Sequence, residues 1–276
     1  MRLLPATIAL AALAGAAAPT LASFHFMQIE QIVGGVGGDS SIQAIQLRMR
    51  FGSQNFVNNC VIKVFDAQGQ NPITLVTCNR NLAVGAGGSR ILIASPNFAA
   101  ATSPDAAPDF VMTNVIPASY LAAGRMTWEL NNIIYWSFAW GGASYTGSNL
   151  GAATNDADGN FGAPFPGALP STTTQAVFFN GAFGAASTNN AAQYLLTPAA
   201  ATFINNAGDS FVIDEPVNPC PQDFNGDMIV NADDLGDYIN CYFSVPPCDQ
   251  ADFNQDGTTD ADDLGDYINA YFGPAC

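Results

Sequence analysis

The chain has 276 residues, enough for one medium-sized domain and a small one. It carries seven Lys and Arg against 23 Asp and Glu, which gives a formal net charge of −16. Nucleic acids and anionic membrane surfaces are bound through cationic patches, so this balance argues against both as partners.

The first residues combine a short basic start, Met1-Arg2, with an apolar run from Leu3 to Ala18 and the sequence Pro19-Thr20-Leu21-Ala22. This order is typical of a cleavable secretory signal peptide. A membrane anchor is the alternative, but a span needs about 20 strongly apolar residues, whereas this run is rich in alanine and interrupted by Pro5. We predict a signal peptide over residues 1–22 and a secreted protein, extracellular or at the cell surface, with no transmembrane segment after cleavage.

Cysteine usage agrees with export, because exported proteins reach compartments that permit disulfides. The six cysteines are Cys60, Cys78, Cys220, Cys241, Cys248 and Cys276. The first two flank one short stretch, and we expect them to pair across neighbouring strands. The other four belong to the C-terminal segment and allow three connectivities, among which the sequence does not choose.

Residues 24–215 are rich in short segments with β-type alternation. The strand candidates are 27–32, 42–51, 60–65, 73–78, 90–94, 126–130, 133–140 and, in a later stretch rich in small residues, 175–180. Gly- and Asn-rich turns separate them at short intervals, which favours a sandwich or barrel over βαβ units. The sequence therefore predicts a mainly β chain with a β-sandwich domain over residues 24–215.

Four segments of this domain carry a family resemblance: MQIEQI from Met27, AIQLRMRF from Ala44, FVNNCVIKVFDAQG from Phe56, and GAGGSRILIASPNF from Gly85. Together they resemble the lamin-tail kind of immunoglobulin-like β-sandwich. The resemblance covers about residues 26–98 and implies an interaction or surface domain without catalytic activity.

Catalytic motifs are sparse in this domain. His25 is the one histidine, so a Ser-His-Asp triad would have to use it, and an ordinary side chain is the preferred interpretation. A carboxylate pair could hydrolyse glycosides, and Glu30 and Glu129 are the only glutamates before Glu215. Both fit as outward-facing strand residues. We therefore predict no catalytic residues and favour a non-enzymatic protein, with enzyme activity left open.

Two other features of this domain are candidate ligand sites. The segment Asn155–Asn160 could bind an additional calcium ion, but Asn, Asp and Gly are also the usual turn formers, which is the preferred interpretation. In the aromatic segment 133–140, alternation places Ile134, Trp136, Phe138 and Trp140 on one face, which is typical of a core. Tyr135 and Tyr145 are left as candidate exposed platforms for a sugar.

The C-terminal segment contains a duplication. Residues 223–243 (DFNGDMIVNADDLGDYINCYF) match residues 252–272 (DFNQDGTTDADDLGDYINAYF) at 15 of 21 positions, and 12 of the 23 acids lie between Asp223 and Asp266. A solvated or disordered tail would carry its acidic residues in contiguous blocks, whereas here they are spaced along the segment. Calcium loops of the EF-hand type take oxygen ligands from positions 1, 3, 5, 7, 9 and 12.

The spacing of the repeat predicts two calcium sites. The first ligand set is Asp223, Asn225, Asp227, the carbonyl of Ile229, Asn231 and Asp234; the second is Asp252, Asn254, Asp256, the carbonyl of Thr258, Asp260 and Asp263. Gly257 stands at position 6, where the chain turns sharply. Oxygen ligands at alternating positions suit Ca²⁺ and leave no soft site for zinc.

A helix is predicted after each loop. Leu235, Tyr238, Ile239 and Tyr242 recur at i, i+3, i+4, i+7 spacing, and so do Leu264, Tyr267, Ile268 and Tyr271. Acids at 233–234 and 262–263 stand at the helix starts, where the helix dipole favours negative charge. Each unit is therefore a loop followed by one helix.

This arrangement resembles a type I dockerin, a module that attaches proteins to cohesin domains on extracellular scaffolds. The resemblance implies a small α-helical domain over residues 216–276, calcium binding, and a cohesin-like partner. Two departures concern partner recognition: Ala232-Asp233 and Ala261-Asp262 replace the small hydroxyl residues of that family, and Ile239-Asn240 and Ile268-Asn269 replace its basic residues.

Two other functions stay open for the chain. It could be a carbohydrate-binding or polysaccharide-degrading component, with an extracellular polysaccharide as partner, or the repeat could be a calcium-stabilised end cap.

The two loops differ in their predicted affinity for calcium. Loop two has four carboxylates and Gly257, whereas loop one has three and carries Met228 at the turn position. A residue other than glycine at positive φ costs about 1 kcal/mol. We predict that loop two fills first, and that metal binding is coupled to folding of the acidic segment unless the disulfides alone hold it.

Overall fold

In a computed structural model the chain divides into two compact units, Met1–Glu215 and Pro216–Cys276. The structure describes residues 24–182, 188–214, 220–226, 229–254 and 257–273. The predicted signal peptide, residues 1–22, lies outside the described residues. Among the described helices, none has the length and apolar character needed to cross a membrane.

The described part of the first unit is mainly β, as the alternating segments predicted. Its strands are β1 (Met27–Val33), β2 (Ala44–Met49), β3 (Val61–Phe65), β4 (Ile73–Thr77), β5 (Arg90–Ala94), β6 (Thr102–Ser103), β7 (Phe110–Val111), β8 (Gly124–Leu130), β9 (Ile133–Trp140), β10 (Val177–Phe179), β11 (Tyr194–Leu196), β12 (Thr202–Ile204) and β13 (Ser210–Ile213). Two single-turn helices, α1 (Ala118–Leu121) and α2 (Asn190–Gln193), lie between strands.

The strands form three sheets. Six strands follow the order β11-β10-β1-β2-β5-β7, four follow β4-β3-β8-β9, and three follow β12-β13-β6. Neighbouring strands are antiparallel except for β5 and β7, which are parallel. The predicted β-sandwich fold is confirmed.

Most of the core is one apolar cluster that unites the six-stranded and the four-stranded sheets. It includes Ile29 of β1 and Leu47 of β2 together with Trp128 of β8 and Trp136 of β9, all at most 1 % exposed. Side chains in a strand alternate between faces, and one face of β5, with Ile91 and Ile93, supplies this cluster. Fully burying a side chain such as Ile29 stabilises the fold by about 1.5–3 kcal/mol.

The six-stranded sheet is also covered on part of its other face. A second cluster joins Val33 of β1 and Leu92 of β5 to Phe203 of β12 and Phe211 of β13. The three-stranded sheet therefore adds a partial third layer. The alternation of side chains along β5 explains how one strand contributes to both clusters. Leu92 points away from Ile91 and Ile93, which belong to the first cluster.

The aromatic strand β9 is buried as predicted on one face, with Trp136, Phe138 and Trp140 at most 1 % exposed. The prediction that Tyr135 and Tyr145 are exposed platforms is wrong, since both tyrosines are buried.

Local contacts explain their burial. The ring of Tyr135 packs against those of Phe24 and His25, at centroid distances of 5.4 and 4.7 Å. The Tyr145 hydroxyl donates to the carbonyl of Ser148 at 2.8 Å.

The prediction of a disulfide between Cys60 and Cys78 is also wrong, since both residues are buried free thiols. They do face each other, because the Cys78 N–H donates to the Cys60 carbonyl at 2.8 Å and the Asn59 N–H donates to the Cys78 carbonyl at 2.7 Å. Asn59 adopts a φ of 68°. Asn59 and Cys60 therefore both oppose Cys78, which makes this turn a β-bulge. A bulge changes the direction of the side chain beside it.

The described part of the second unit contains two helices of equal length, α3 (Ala232–Tyr242) and α4 (Ala261–Tyr271), with a 3₁₀ turn at Asp249–Ala251. The predicted small helical region is confirmed, with one helix after each repeat loop. A disulfide joins Cys241 at the end of α3 to Cys248, and Cys220 is also disulfide-bonded. Of the three connectivities open to the four cysteines, only one contains the Cys241–Cys248 bond.

Candidate metal centre

The last residue of loop one, Asp234, is fully buried and ties the loop together. Its Oδ2 accepts the N–H of Asn231 at 2.8 Å, and its Oδ1 accepts the N–H of Asn225 at 3.1 Å. Burial alone would raise the pKa of Asp234, but these N–H donors and a side-chain hydrogen bond with Asp223 hold it below its ordinary value. The carboxylate therefore stays ionised at neutral pH.

Asp223 and Asp234 come from opposite ends of loop one and meet in its interior. Asp223 is only 5 % exposed, and its carboxyl group is hydrogen-bonded to that of Asp234. Two carboxylates in contact repel each other unless a proton or a cation lies between them. The loop thus brings its first and twelfth positions together, which is the arrangement a cation would neutralise.

Loop two repeats this geometry. Asp263 is buried, its Oδ2 accepts the N–H of Asp260 at 2.8 Å, and its Oδ1 accepts the N–H of Asn254 at 3.1 Å. These two hydrogen bonds lower the pKa of Asp263. In addition, the Gly257 N–H donates to Oδ2 of Asp252 at 2.8 Å. The equal distances show that the sequence repeat is also a repeat of hydrogen bonds.

Two left-handed glycines shape the loops. Gly257 at position 6 of loop two has a φ of 92°, as the turn requirement predicted, and Gly226 at position 4 of loop one has a φ of 74°. Gly226 has no counterpart in the repeat, because the equivalent residue of loop two is Gln255. Met228, predicted to strain loop one, lies outside the described residues.

The ninth residue of each loop caps the helix that follows. Oδ1 of Asn231 accepts the N–H of Asp233 at 2.7 Å, and Oδ1 of Asp260 accepts the N–H of Asp262 at 2.9 Å. Both helices begin with a complete capping box. A cap contributes about 1 kcal/mol. The sequence predicted acids at the helix starts but not this second role of Asn231 and Asp260.

Ten of the twelve predicted ligands belong to the described residues. They are Asp223, Asn225, Ile229, Asn231, Asp234, Asp252, Asn254, Thr258, Asp260 and Asp263. The fifth-position residues, Asp227 and Asp256, lie outside them. Within the described parts of the chain, no three His, Cys, Asp or Glu side chains are grouped so that they could hold a metal ion. EF-hand-type loops also take amide and carbonyl oxygens as ligands, so a loop of this type does not depend on three such side chains alone.

The carboxylates of the first unit are engaged in other contacts. Glu30 and Glu129, expected to face outward, are buried at 8 % and 3 % exposure. Glu30 pairs with Arg90 at 2.9 Å and Arg48 at 3.3 Å, whereas Glu129 pairs with Lys63 at 2.8 Å. Buried carboxylates require such partners, and each glutamate has its own.

The segment 155–160 uses its acids as turn acceptors. Oδ1 of Asp156 accepts the N–H of Asp158 at 3.2 Å, and Oδ1 of Asp158 accepts the N–H of Asn160 at 2.8 Å. Asp156 also accepts the N–H of Thr188, which lies well outside the turn. These are the contacts that Asp and Asn make in turns.

Comparison with known protein families, curated proteins and solved structures finds no match for this chain. The class of the protein is therefore defined by its own architecture: a mainly β unit followed by a small helical unit with duplicated acidic loops.

Proposed function

We propose that the C-terminal unit binds two calcium ions and attaches this secreted, non-enzymatic protein to an extracellular or cell-surface partner. The observation that carries the proposal is the repeated geometry at Asp234 and Asp263. Each is buried, anionic and hydrogen-bonded to the third and ninth residues of its loop. A buried anion needs compensation, and no Lys or Arg follows Arg125.

The donor set fits calcium. Ca²⁺ takes six to eight oxygen ligands at 2.3–2.6 Å, and the repeat supplies only carboxylate, amide and carbonyl oxygens. Loop one would use Asp223, Asn225, Asp227, Ile229, Asn231 and Asp234. Loop two would use Asp252, Asn254, Asp256, Thr258, Asp260 and Asp263. Bound calcium would neutralise each acidic loop, while the chain positions the ligands through the hydrogen bonds described above.

The surface of the helical unit supports attachment to another protein. Phe243 and Phe272, at equivalent positions after α3 and α4, are 68 % and 75 % exposed. Ile239 and Ile268, one helical turn earlier, are also exposed. Exposed apolar clusters mark interaction sites. The resemblance to a dockerin names a cohesin-like protein as the partner, and Ile239 and Ile268 stand where that family has basic residues.

Carbohydrate binding by the first unit is not favoured by a specific observation. Its sequence-based support was an exposed Tyr135 or Tyr145, and both tyrosines are buried. We therefore keep attachment as the single proposed function.

Calcium binding is tested by calorimetric titration of the full mature chain after treatment with a chelator. We expect two ions per chain, and one in each of the variants D234N and D263N. The matched controls are D233N and D262N, which remove the neighbouring exposed carboxylate and should keep both ions. A chain that binds no calcium would refute the proposal.

Attachment is tested by a pull-down from the native secretome, with calcium and with a chelator. We expect a protein retained only with calcium and lost in the variant F243A/F272A. F51A is the control, since Phe51 is an exposed phenylalanine of the first unit. Retention that is indifferent to calcium would refute the docking role and leave calcium binding untouched.

A further inference from the structure

Two buried tyrosines connect the repeats crosswise. Tyr238 of α3 donates its hydroxyl to the carbonyl of Ala251 at 3.2 Å, and Tyr267 of α4 donates its hydroxyl to the carbonyl of Gln222 at 3.2 Å. Ala251 immediately precedes loop two, and Gln222 immediately precedes loop one. Each helix therefore holds the entrance of the loop that belongs to the other repeat.

The same tyrosines stack on each other. Their ring centroids are 3.8 Å apart, their planes differ by 6°, and both residues are fully buried. Phe224, the second residue of loop one, packs edge-on against both rings at 5.3 and 6.0 Å. Phe253, the second residue of loop two, does so at 6.2 and 5.3 Å. The two loops thus share one aromatic core.

We propose that the two loops bind calcium with positive cooperativity, and that the hydroxyl bonds of Tyr238 and Tyr267 carry the coupling. This inference rests on the proposed calcium function. An ion in loop two would fix Asp263 and the start of α4, and α4 carries Tyr267, which holds the entrance of loop one. By symmetry, an ion in loop one would fix α3 and Tyr238. The first ion therefore orders part of the second site in advance, and the second ion binds more tightly.

The coupling is measured by calorimetry of the full mature chain with calcium alone as the probe. D263N isolates loop one and D234N isolates loop two, and each gives one single-site association constant. The coupling factor is the product of the two stepwise constants of the natural chain divided by the product of these single-site constants, with statistical factors removed. We expect a factor of about 5 or more, the lower range of allosteric couplings.

The route is tested by Y238F/Y267F, which removes both hydroxyls but keeps the stacked rings. We expect the coupling factor to fall to about one-third of its natural value or lower, a loss of about 0.6 kcal/mol or more. The control Y242F/Y271F removes hydroxyls one helical turn further along the same helices and should leave the factor unchanged. Far-ultraviolet circular dichroism in excess calcium shows whether each variant is folded.

The outcomes separate this inference from the function on which it rests. If the natural chain binds no calcium, the proposed function fails. If it binds two ions with a coupling factor of one, the function stands and the cooperativity is refuted. A factor above one that Y238F/Y267F leaves unchanged, or that Y242F/Y271F lowers equally, refutes the role of the two hydroxyls.

Discussion

The side-chain amide of Asn231 donates to the carbonyl oxygen of Ile229 at 3.3 Å. That carbonyl is the seventh-position ligand predicted for loop one, so the amide would compete with a bound metal ion for it. The ninth residue of loop two is Asp260, which has no side-chain amide to donate to the equivalent carbonyl. The loops therefore differ by this contact as well as by their number of carboxylates, and both differences favour loop two.

The first prediction is that N231D strengthens loop one. The substitution adds a fourth carboxylate and removes the competing donor, and it keeps a residue suited to capping α3. Because ligand charge tunes calcium affinity, we expect about ten-fold tighter binding, or about 1.4 kcal/mol. Calorimetric titration of N231D in the D263N background, where only loop one is intact, measures it.

The mirror change is the control. D260N in the D234N background should weaken loop two by a similar factor, because it gives loop two the ninth residue of loop one. An unchanged affinity of N231D would show that position 9 acts only as a helix cap.

Local features of the repeat were open to prediction because they depend on near neighbours. The spacing of Tyr238 and Ile239 with their partners predicted the helices, and the acids at 233–234 marked where α3 begins. The stack of Tyr238 on Tyr267 was not predictable, because it depends on how two helices pack across 29 residues of sequence. Spacing alone predicts that both tyrosines lie on an apolar helix face, but it does not predict which ring each tyrosine contacts.

The second prediction concerns Gly257. Its φ of 92° is a conformation that side chains with a Cβ rarely adopt, and no atom lies within 4 Å of an added Cβ. The cost of G257A is therefore conformational rather than steric, about 1 kcal/mol. We expect loop two to bind calcium about five-fold more weakly, measured by titration in the D234N background.

G265A provides the matched control. Gly265 lies within α4 and also has open space around a Cβ. Alanine is favoured over glycine inside a helix by about 1 kcal/mol, so this change should stabilise the helical unit and leave loop two at full affinity. If G257A bound calcium as tightly as the natural chain, the left-handed turn would not matter for the site.

The third prediction concerns the buried charge of Glu30. Its carboxylate pairs with Arg90 and Arg48 and accepts Nε2 of Gln46 at 2.8 Å. E30A leaves two cations facing each other and an unpaired amide. Because the two arginines are about one-third exposed, the expected loss is about 2 kcal/mol, less than for a fully buried pair.

Urea unfolding followed by tryptophan fluorescence measures this loss, since Trp128, Trp136 and Trp140 all belong to the first unit. D105A is the control, because Asp105 is an exposed acid of the same unit. Equal unfolding midpoints for E30A and the natural chain would show that the ion pairs contribute nothing net.

The burial of Glu30 shows where sequence patterns stop being informative. Alternation along β1 places it on the face opposite Ile29, which in a two-layer sandwich is the solvent side. The register of β1 against β2 shifts between Ile29 and Gln31, and Gln31 donates to the carbonyl of Thr202 on the covering sheet at 3.2 Å. Neither the bulge nor the third layer has a signal in the sequence around Glu30.

The fourth prediction concerns the thiols of Cys60 and Cys78. Burial raises the pKa of Cys78 to about 12, and burial together with the neighbouring Cys78 raises that of Cys60 further. Alkylation requires an accessible thiolate, so iodoacetamide should leave the folded chain unmodified. After unfolding in urea without a reductant, mass spectrometry should find both thiols alkylated, whereas Cys241 and Cys248 should stay unmodified because their sulfurs are bonded to each other. A chain that gains no label after unfolding would contain a Cys60–Cys78 bond, and would restore the pairing that the sequence predicted.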